Sequence, residues 1–130
     1  MENAPNLPGW QYVVSFSGGK DSTALYLWMM ERGYAFHPVF ADTGHEHPMT
    51  LDYVSALPGV TGGPDIRWVR ADFTDQIARK RRYVAEKWPE KGVPADRVER
   101  ALAVLHPTNI PFLDLCLWKG RFPSTCARFC

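Results

Sequence analysis

Six consecutive residues, Ser17-Gly18-Gly19-Lys20-Asp21-Ser22, carry the chemistry this chain most plainly encodes. An apolar run, Val13 to Phe16, leads in, and a second, Ala24 to Met30, leads out. Strand, glycine turn and helix together make a phosphate cradle. Adjacent glycines let the backbone turn sharply and bring its N–H groups up to an anion. The helix start adds unpaired N–H groups and the positive end of its dipole. Ser17, Ser22 and Thr23 add hydroxyls, and Lys20 adds a charge. This is not a Walker A loop, which needs Gly at position 14 and Ser or Thr at position 21, where Val14 and Asp21 stand. It is not a GxGxxG fingerprint either. The same residues, read without a ligand, make a glycine turn capped by Asp21 or Ser22.

Three further groups could do chemistry. Asp42-Thr43-Gly44 lies just over twenty residues beyond the glycines. At about that distance nucleotide folds place a carboxylate on a ribose; Asp42 could also simply open a turn before Gly44. His45-Glu46-His47 offers metal donors, but residues two apart share a face only in a strand, and a helix start is expected here. The zinc-protease spacing HExxH is absent. Cys116, Cys126 and Cys130 crowd the end of the chain. They could supply three thiolates to an iron–sulfur cluster, one short of the usual four, or a single reactive thiol; Cys116, in an apolar run, could equally be core. Arg79-Lys80-Arg81-Arg82 could hold a phosphate or a nucleic-acid backbone. Four successive residues point around a helix, so the expectation is a solvated face.

The elements that position these groups follow from pattern. The 130 residues suit one domain, numbered 1–130, with an unordered lead over 1–10 and an irregular cysteine-containing end over 119–130. Strands are expected over Gln11–Phe16, Phe36–Ala41 and Ile66–Ala71. Pro38 inside the second is a residue more usual at a sheet edge, which bears on that strand's length and not on its existence. The first helix, from about Gly19 to Arg32, is apolar nearly all round and expected buried. A second starts at Pro48, with Leu51, Val54 and Leu57 on one face, and gives way to a loop at Pro58-Gly59. A third follows a cap at Asp72 or Thr74, with Ile77, Ala78, Val84, Ala85 and Trp88 sharing a face. A fourth begins near Pro94, and Phe112–Trp118 reads as helix or strand. Strands alternating with helices predict an α/β fold with a parallel sheet. Ligands of such sheets bind beyond the carboxyl ends of the strands, where the loops after Phe16 and after Ala41 meet.

Net charge is +1, which implies no strongly charged partner, but its distribution is uneven. Residues 1–65 hold two basic and seven acidic side chains; residues 66–130 hold thirteen basic and seven acidic. Such asymmetry can attract an anion or leave an uneven solvated surface. The longest apolar run is too short to span a bilayer, so no membrane is expected and the cytoplasm is.

The complete Ser-Gly-Gly-x-Asp-Ser match resembles the PP-loop of the ATP-pyrophosphatase superfamily. Asp42-Thr43-Gly44-x-Glu46-x-Pro48, Ala71-Asp72-Phe73-Thr74 and the tail Lys119-Gly120-Arg121-Phe122-Pro123-Ser124 sharpen it. Together they are similar to the phosphoadenosine phosphosulfate (PAPS) reductase-like proteins of phages and bacteria. The resemblance implies a Rossmann-like fold of the adenine nucleotide α-hydrolase type, its strand order beginning 3-2-1. It implies an adenine nucleotide, ATP or PAPS, held by Ser17, Gly18, Gly19, Lys20, Asp21, Ser22, Asp42, Thr43 and Gly44. In pyrophosphatase chemistry Mg²⁺ and Lys20 would offset charge on the leaving pyrophosphate. In sulfonucleotide chemistry a thiol attacks sulfur. The family's Glu-Cys-Gly-type tail is missing, which implies a minimal form or a lost end, and leaves Cys130 as the substitute thiol. The expectation is an enzyme-type nucleotide site with weak or absent reductase turnover. The alternatives are a nucleotide-binding module without catalysis, or a component of nucleic-acid sulfur modification.

Overall fold

The computed structural model describes residues 7–122. Two compact units divide the chain. The first holds the residues up to Asp42 together with Glu46–Arg70; the second holds Thr43–His45 and the residues from Ala71 on.

The first unit is a parallel sheet with helices. Its elements are β1 (Tyr12–Ser15), α1 (Lys20–Glu31), β2 (Phe36–Ala41), α2 (Pro48–Thr61) and β3 (Arg67–Val69). The strands lie in the order β1-β2-β3, each pair parallel. Side chains alternate across the pleat. Val14, Phe36, Pro38 and Phe40 therefore turn to one face and are buried, with Phe16 just beyond β1. Tyr26 and Met29 of α1 and Val54 and Leu57 of α2 complete this core. Tyr26 is fully buried, its ring edge-on to Phe36, and its hydroxyl donates to the Pro64 carbonyl at 2.7 Å. Gly63 passes so close that an added Cβ would overlap the Tyr26 hydroxyl and the Met30 sulfur.

Some expectations hold and others fail here for local reasons. Pro38 neither shortens β2 nor makes it an edge; β2 runs over Phe36–Ala41 and is the central strand. Val39 accepts from Phe16 on the β1 side, while the Asp42 N–H turns to Val69 on the β3 side. By alternation the Pro38 nitrogen also faces β3, but the ladder there starts only at Val39–Arg67. The missing donor has no bond to make. α1 is not buried all round: Leu25, Leu27 and Trp28 are exposed, because one helical stripe alone meets the sheet. Tyr34 stacks on the Trp28 ring and Arg32 lies over it, which shields part of that outer face. α2 does not stop at Pro58-Gly59 but runs one turn further, to Gly62 in the left-handed conformation (φ 70°). The Thr61 hydroxyl meets the Leu57 carbonyl in that last turn. β3 is three residues long, shorter than Ile66–Ala71. Before β1 the described lead is a turn, with Trp10 N–H on Leu7 carbonyl.

The second unit is helical: α3 (Thr74–Glu90), α4 (Ala95–Val104) and α5 (Pro111–Lys119). Val84 of α3 packs with Val98 and Leu105, flanked by Trp88, Val93, Ala101 and Leu102. Of the face expected on α3, Ile77 and Val84 are buried, while Ala78 and Ala85 are exposed. The segment left open between helix and strand is the helix α5. The Asp72 carboxylate accepts from both the N–H (2.9 Å) and the hydroxyl (2.6 Å) of Thr74, and these bonds hold its pKa below the ordinary carboxylate value. Asp72, rather than Thr74, thus opens α3.

The basic cluster is not simply a solvated face. Lys80 Nζ donates to the Leu117 (2.7 Å) and Trp118 (3.0 Å) carbonyls at the end of α5, and burial there lowers its pKa. Arg81 Nη1 donates to the Leu102 carbonyl and reaches His106 Nε2 at 3.2 Å, at the end of α4. Two adjacent cations therefore close two helix C-termini, where unpaired carbonyls and the dipole favour positive charge.

Candidate functional site

The Ser17–Ser22 loop leaves the carboxyl end of β1 and enters α1 directly. Gly18 takes φ 80°, a conformation glycine adopts without strain. A Cβ at Gly18 would also press on Thr50 Cγ2 (3.0 Å) and Val54 Cγ2 (3.2 Å) of α2. Packing and dihedral both require glycine there. Gly19 is different. It is the N-cap of α1 in extended conformation, and a Cβ there would meet nothing nearer than Ser17 Oγ at 3.5 Å. The fold tolerates a side chain at 19; the space it would occupy lies over the helix start.

The loop is closed by its own hydroxyls. Ser22 Oγ accepts from the Ser17 N–H (3.2 Å) and donates to the Gly19 carbonyl (3.1 Å). Ser17 Oγ lies 3.2 Å from Ser22 Oγ and accepts from the Gly19 N–H at 3.4 Å. Thr23 Oγ1 donates to the Gly19 carbonyl at 2.8 Å and is held at 3.0 Å by the Tyr53 hydroxyl of α2. No side chain caps the first turn of α1. The N–H groups of Lys20, Asp21 and Ser22 precede the first intrahelical acceptor, as at any helix start. Lys20 and Asp21 are exposed beside them. The arrangement can receive an anion on backbone donors and the helix dipole. It supplies one positive side chain and one carboxylate.

Asp42 stands at the same edge of the sheet, immediately after β2. Its N–H donates to the Val69 carbonyl (2.9 Å), and its Oδ2 accepts from Arg70 Nη1 at 2.8 Å. Arg70 was not singled out from the sequence. The available signal was its place: a cation one residue past β3, as Asp42 is one residue past β2. Tyr53 was missed too; only its spacing on α2 could have indicated it.

The Asp42-Thr43-Gly44 run crosses from one unit to the other. The Thr43 carbonyl accepts from the Phe112 N–H at 3.0 Å, its hydroxyl accepts from the His45 N–H at 3.4 Å, and Gly44 takes φ 72°. The His45 ring stacks on Phe112. His47 caps α2, its Nδ1 accepting from the Met49 N–H at 3.2 Å. Among the described residues no group of three His, Cys, Asp or Glu side chains comes together to hold a metal. Cys116 is a free, half-buried thiol on α5. Cys126 and Cys130, and with them the cluster and terminal-thiol expectations, lie outside the described residues. Among the described residues no helix is long and apolar enough to cross a membrane.

Comparison with known proteins agrees with this loop and sheet. A family model, the phosphoadenosine phosphosulfate reductase domain, matches residues 11–104. The chain is 52% identical over 127 residues to an uncharacterized 37.8 kDa protein in the gpa 5' region of Escherichia phage 186. It is 56% identical over 122 residues to the nin region protein ORF290 of Escherichia phage lambda. Each match covers 91% of this chain and 37% of the relative, so the chain spans little more than a third of their length. A shorter stretch, 63 residues, is 45% identical to argininosuccinate synthase of Xanthomonas campestris, covering 42% of this chain and 16% of that enzyme. No solved structure matches. A glycine loop between a parallel strand and a helix, inside a family match that spans most of the chain, assigns the protein: it belongs to the phosphoadenosine phosphosulfate reductase domain family.

Proposed function

We propose that this chain binds an adenine nucleotide with its phosphates on the Ser17–Ser22 loop and serves chemistry at the α-phosphate. The observation that supports this best is the contrast between its glycines. Gly18 is needed by the fold, whereas Gly19 borders open space at the helix start. Backbone N–H groups of Gly19 to Ser22 would contact the phosphates. Lys20 would offset charge on the β- and γ-phosphates as they leave. Asp42 would contact the ribose, with Thr43 and Gly44 shaping the turn beyond it. An acceptor oxygen attacks the α-phosphorus. Its bond to phosphorus forms as the α–β bridging bond breaks, and pyrophosphate departs with the electron pair. The loop hydroxyls are spent on each other and on the Gly19 carbonyl, so the acceptor is a second substrate.

Asp21 is the carboxylate beside the loop that fits Mg²⁺, an ion bound through one or two carboxylates plus substrate phosphates. Bound there, Mg²⁺ would neutralise pyrophosphate charge. The similarity to a synthase as well as to a reductase domain supports a nucleotide site shared across reaction classes. On this reading residues 1–130 work as one PP-loop domain, in the cytoplasm, with a sheet that reads 3-2-1 from its β3 edge. A second reading, a binding module without catalysis, is favoured by the internal pairing of those same hydroxyls.

The two chemistries separate in one assay: pyrophosphate release from ATP with Mg²⁺ against sulfite release from PAPS with a thiol reductant. Pyrophosphate without sulfite is expected. Rapid sulfite release that Cys130→Ser abolishes would replace the proposal with a reductase. Release of neither product, with nucleotide binding intact, would leave the binding module.

A further inference from the structure

We propose that His45, Phe112 and Phe122 form a stacking surface for a single-stranded nucleic acid. All three belong to the second unit, and the inference does not depend on the nucleotide reading above. The His45 ring lies nearly parallel to Phe112, with centroids 5.5 Å apart and planes 18° from each other. Phe122 continues the row, its centroid 6.5 Å from that of Phe112. Backbone bonds hold the row in place. The Phe112 N–H donates to the Thr43 carbonyl at 3.0 Å, and the Thr43 hydroxyl accepts from the His45 N–H at 3.4 Å. Gly44, at φ 72°, makes the turn between them. The loop that carries His45 is thereby fixed against the start of α5.

Burial sets this row apart from a core. Phe112 is half-buried and anchors it, whereas His45 is exposed and Phe122 is 73% exposed. None of the three joins the unit's buried cluster around Val84. Open ring faces in series are what unpaired bases occupy, and every base has such a face to offer. Charge selects the same occupant. The second unit holds eleven basic and seven acidic side chains. Lys119 and Arg121, the cations that precede Phe122, are exposed and enter no ion pair among the described residues. Flat rings with free cations beside them suit bases joined by phosphates. A duplex, whose bases already stack on one another, offers the phosphates without the free ring faces.

The test is fluorescence anisotropy of a short labelled oligothymidylate with the whole chain, beside a duplex of the same length. The single strand should bind, more weakly as salt rises, and the duplex should bind less well. Phe122→Ala and His45→Ala should each weaken the single strand by about fivefold or more, the low end of what one base–aromatic stack is worth. Trp10→Ala removes a ring that is 75% exposed in the first unit and should leave binding unchanged. Gly19→Val should also leave it unchanged while abolishing ATP binding, so this inference and the nucleotide reading fail separately. No binding of the single strand overturns the inference. So does equal affinity for the duplex, which would mean that charge alone binds. A loss in Trp10→Ala as large as in Phe122→Ala would mean general adhesion to exposed rings, and a loss in Gly19→Val would move the strand to the glycine loop; each overturns it as well.

Discussion

At the scale of single residues, the chain separates side chains that hold the fold from those that face a ligand. Asp72 belongs to the first kind. Its two bonds to Thr74 favour the ionised carboxylate in the folded protein, so its pKa is lowered. The unfolded chain then binds more protons in the window between the lowered and the ordinary pKa. Its contribution is complete above the ordinary carboxylate value and is lost as pH falls through the lowered one. Asp72→Asn keeps an oxygen for the Thr74 N–H but cannot titrate. Thermal melts taken from about pH 5 downward should show a shallower loss of stability in Asp72→Asn than in the unaltered protein. Parallel acid limbs would mean that Asp72 does not contribute. The loop residues were legible from sequence because their spacing is itself the chemistry: Ser17 to Ser22 read in order as turn, donors and charge. Arg70 was not legible. Its role depends on β3 lying beside β2, a long-range pairing that no local pattern around Val69-Arg70-Ala71 reveals.

The elements were readable in kind and less so in their ends. β2 was placed to the residue because Phe36, Pro38 and Phe40 alternate with His37 and Val39. Pro38 set its length in question without shortening it, since a proline's cost depends on which neighbour its nitrogen faces. α2 outran its expected end because Pro58-Gly59 is a turn signal only where the chain must turn; the buried Leu57 keeps it helical. The basic cluster on α3 was misread for a related reason. A run of charges looks solvated unless helix ends lie within reach, and here two do. Arg81 is held at the C-terminus of α4 and Arg82 is exposed. Arg81→Gln should therefore lower stability by about 1.5–3 kcal/mol, the usual value of hydrogen bonds to a charged group. Arg82→Gln should stay within about 0.5 kcal/mol. Urea titration of both variants distinguishes these outcomes; equal midpoints would return the whole cluster to the solvated surface.

For the whole molecule, we propose that a parallel sheet and its first helix present an adenine-nucleotide site at Ser17–Ser22. The unit carrying that loop is acidic overall, with four basic and seven acidic residues. Bulk charge would not draw a nucleotide to it, so affinity must come from the loop's own donors, from Lys20 and from a cation carried with the nucleotide. The glycines make this testable without disturbing the fold. Gly19 is extended, a conformation open to β-branched residues, and its Cβ position is clear. The deciding measurement is a calorimetric titration of ATP with Mg²⁺ into the unaltered chain and into Gly19→Val, with thermal melts of both. Matching melts are expected, with binding by the unaltered chain and its loss in Gly19→Val, where the added side chain blocks phosphate from the backbone. Equal binding by the two proteins would contradict the proposal.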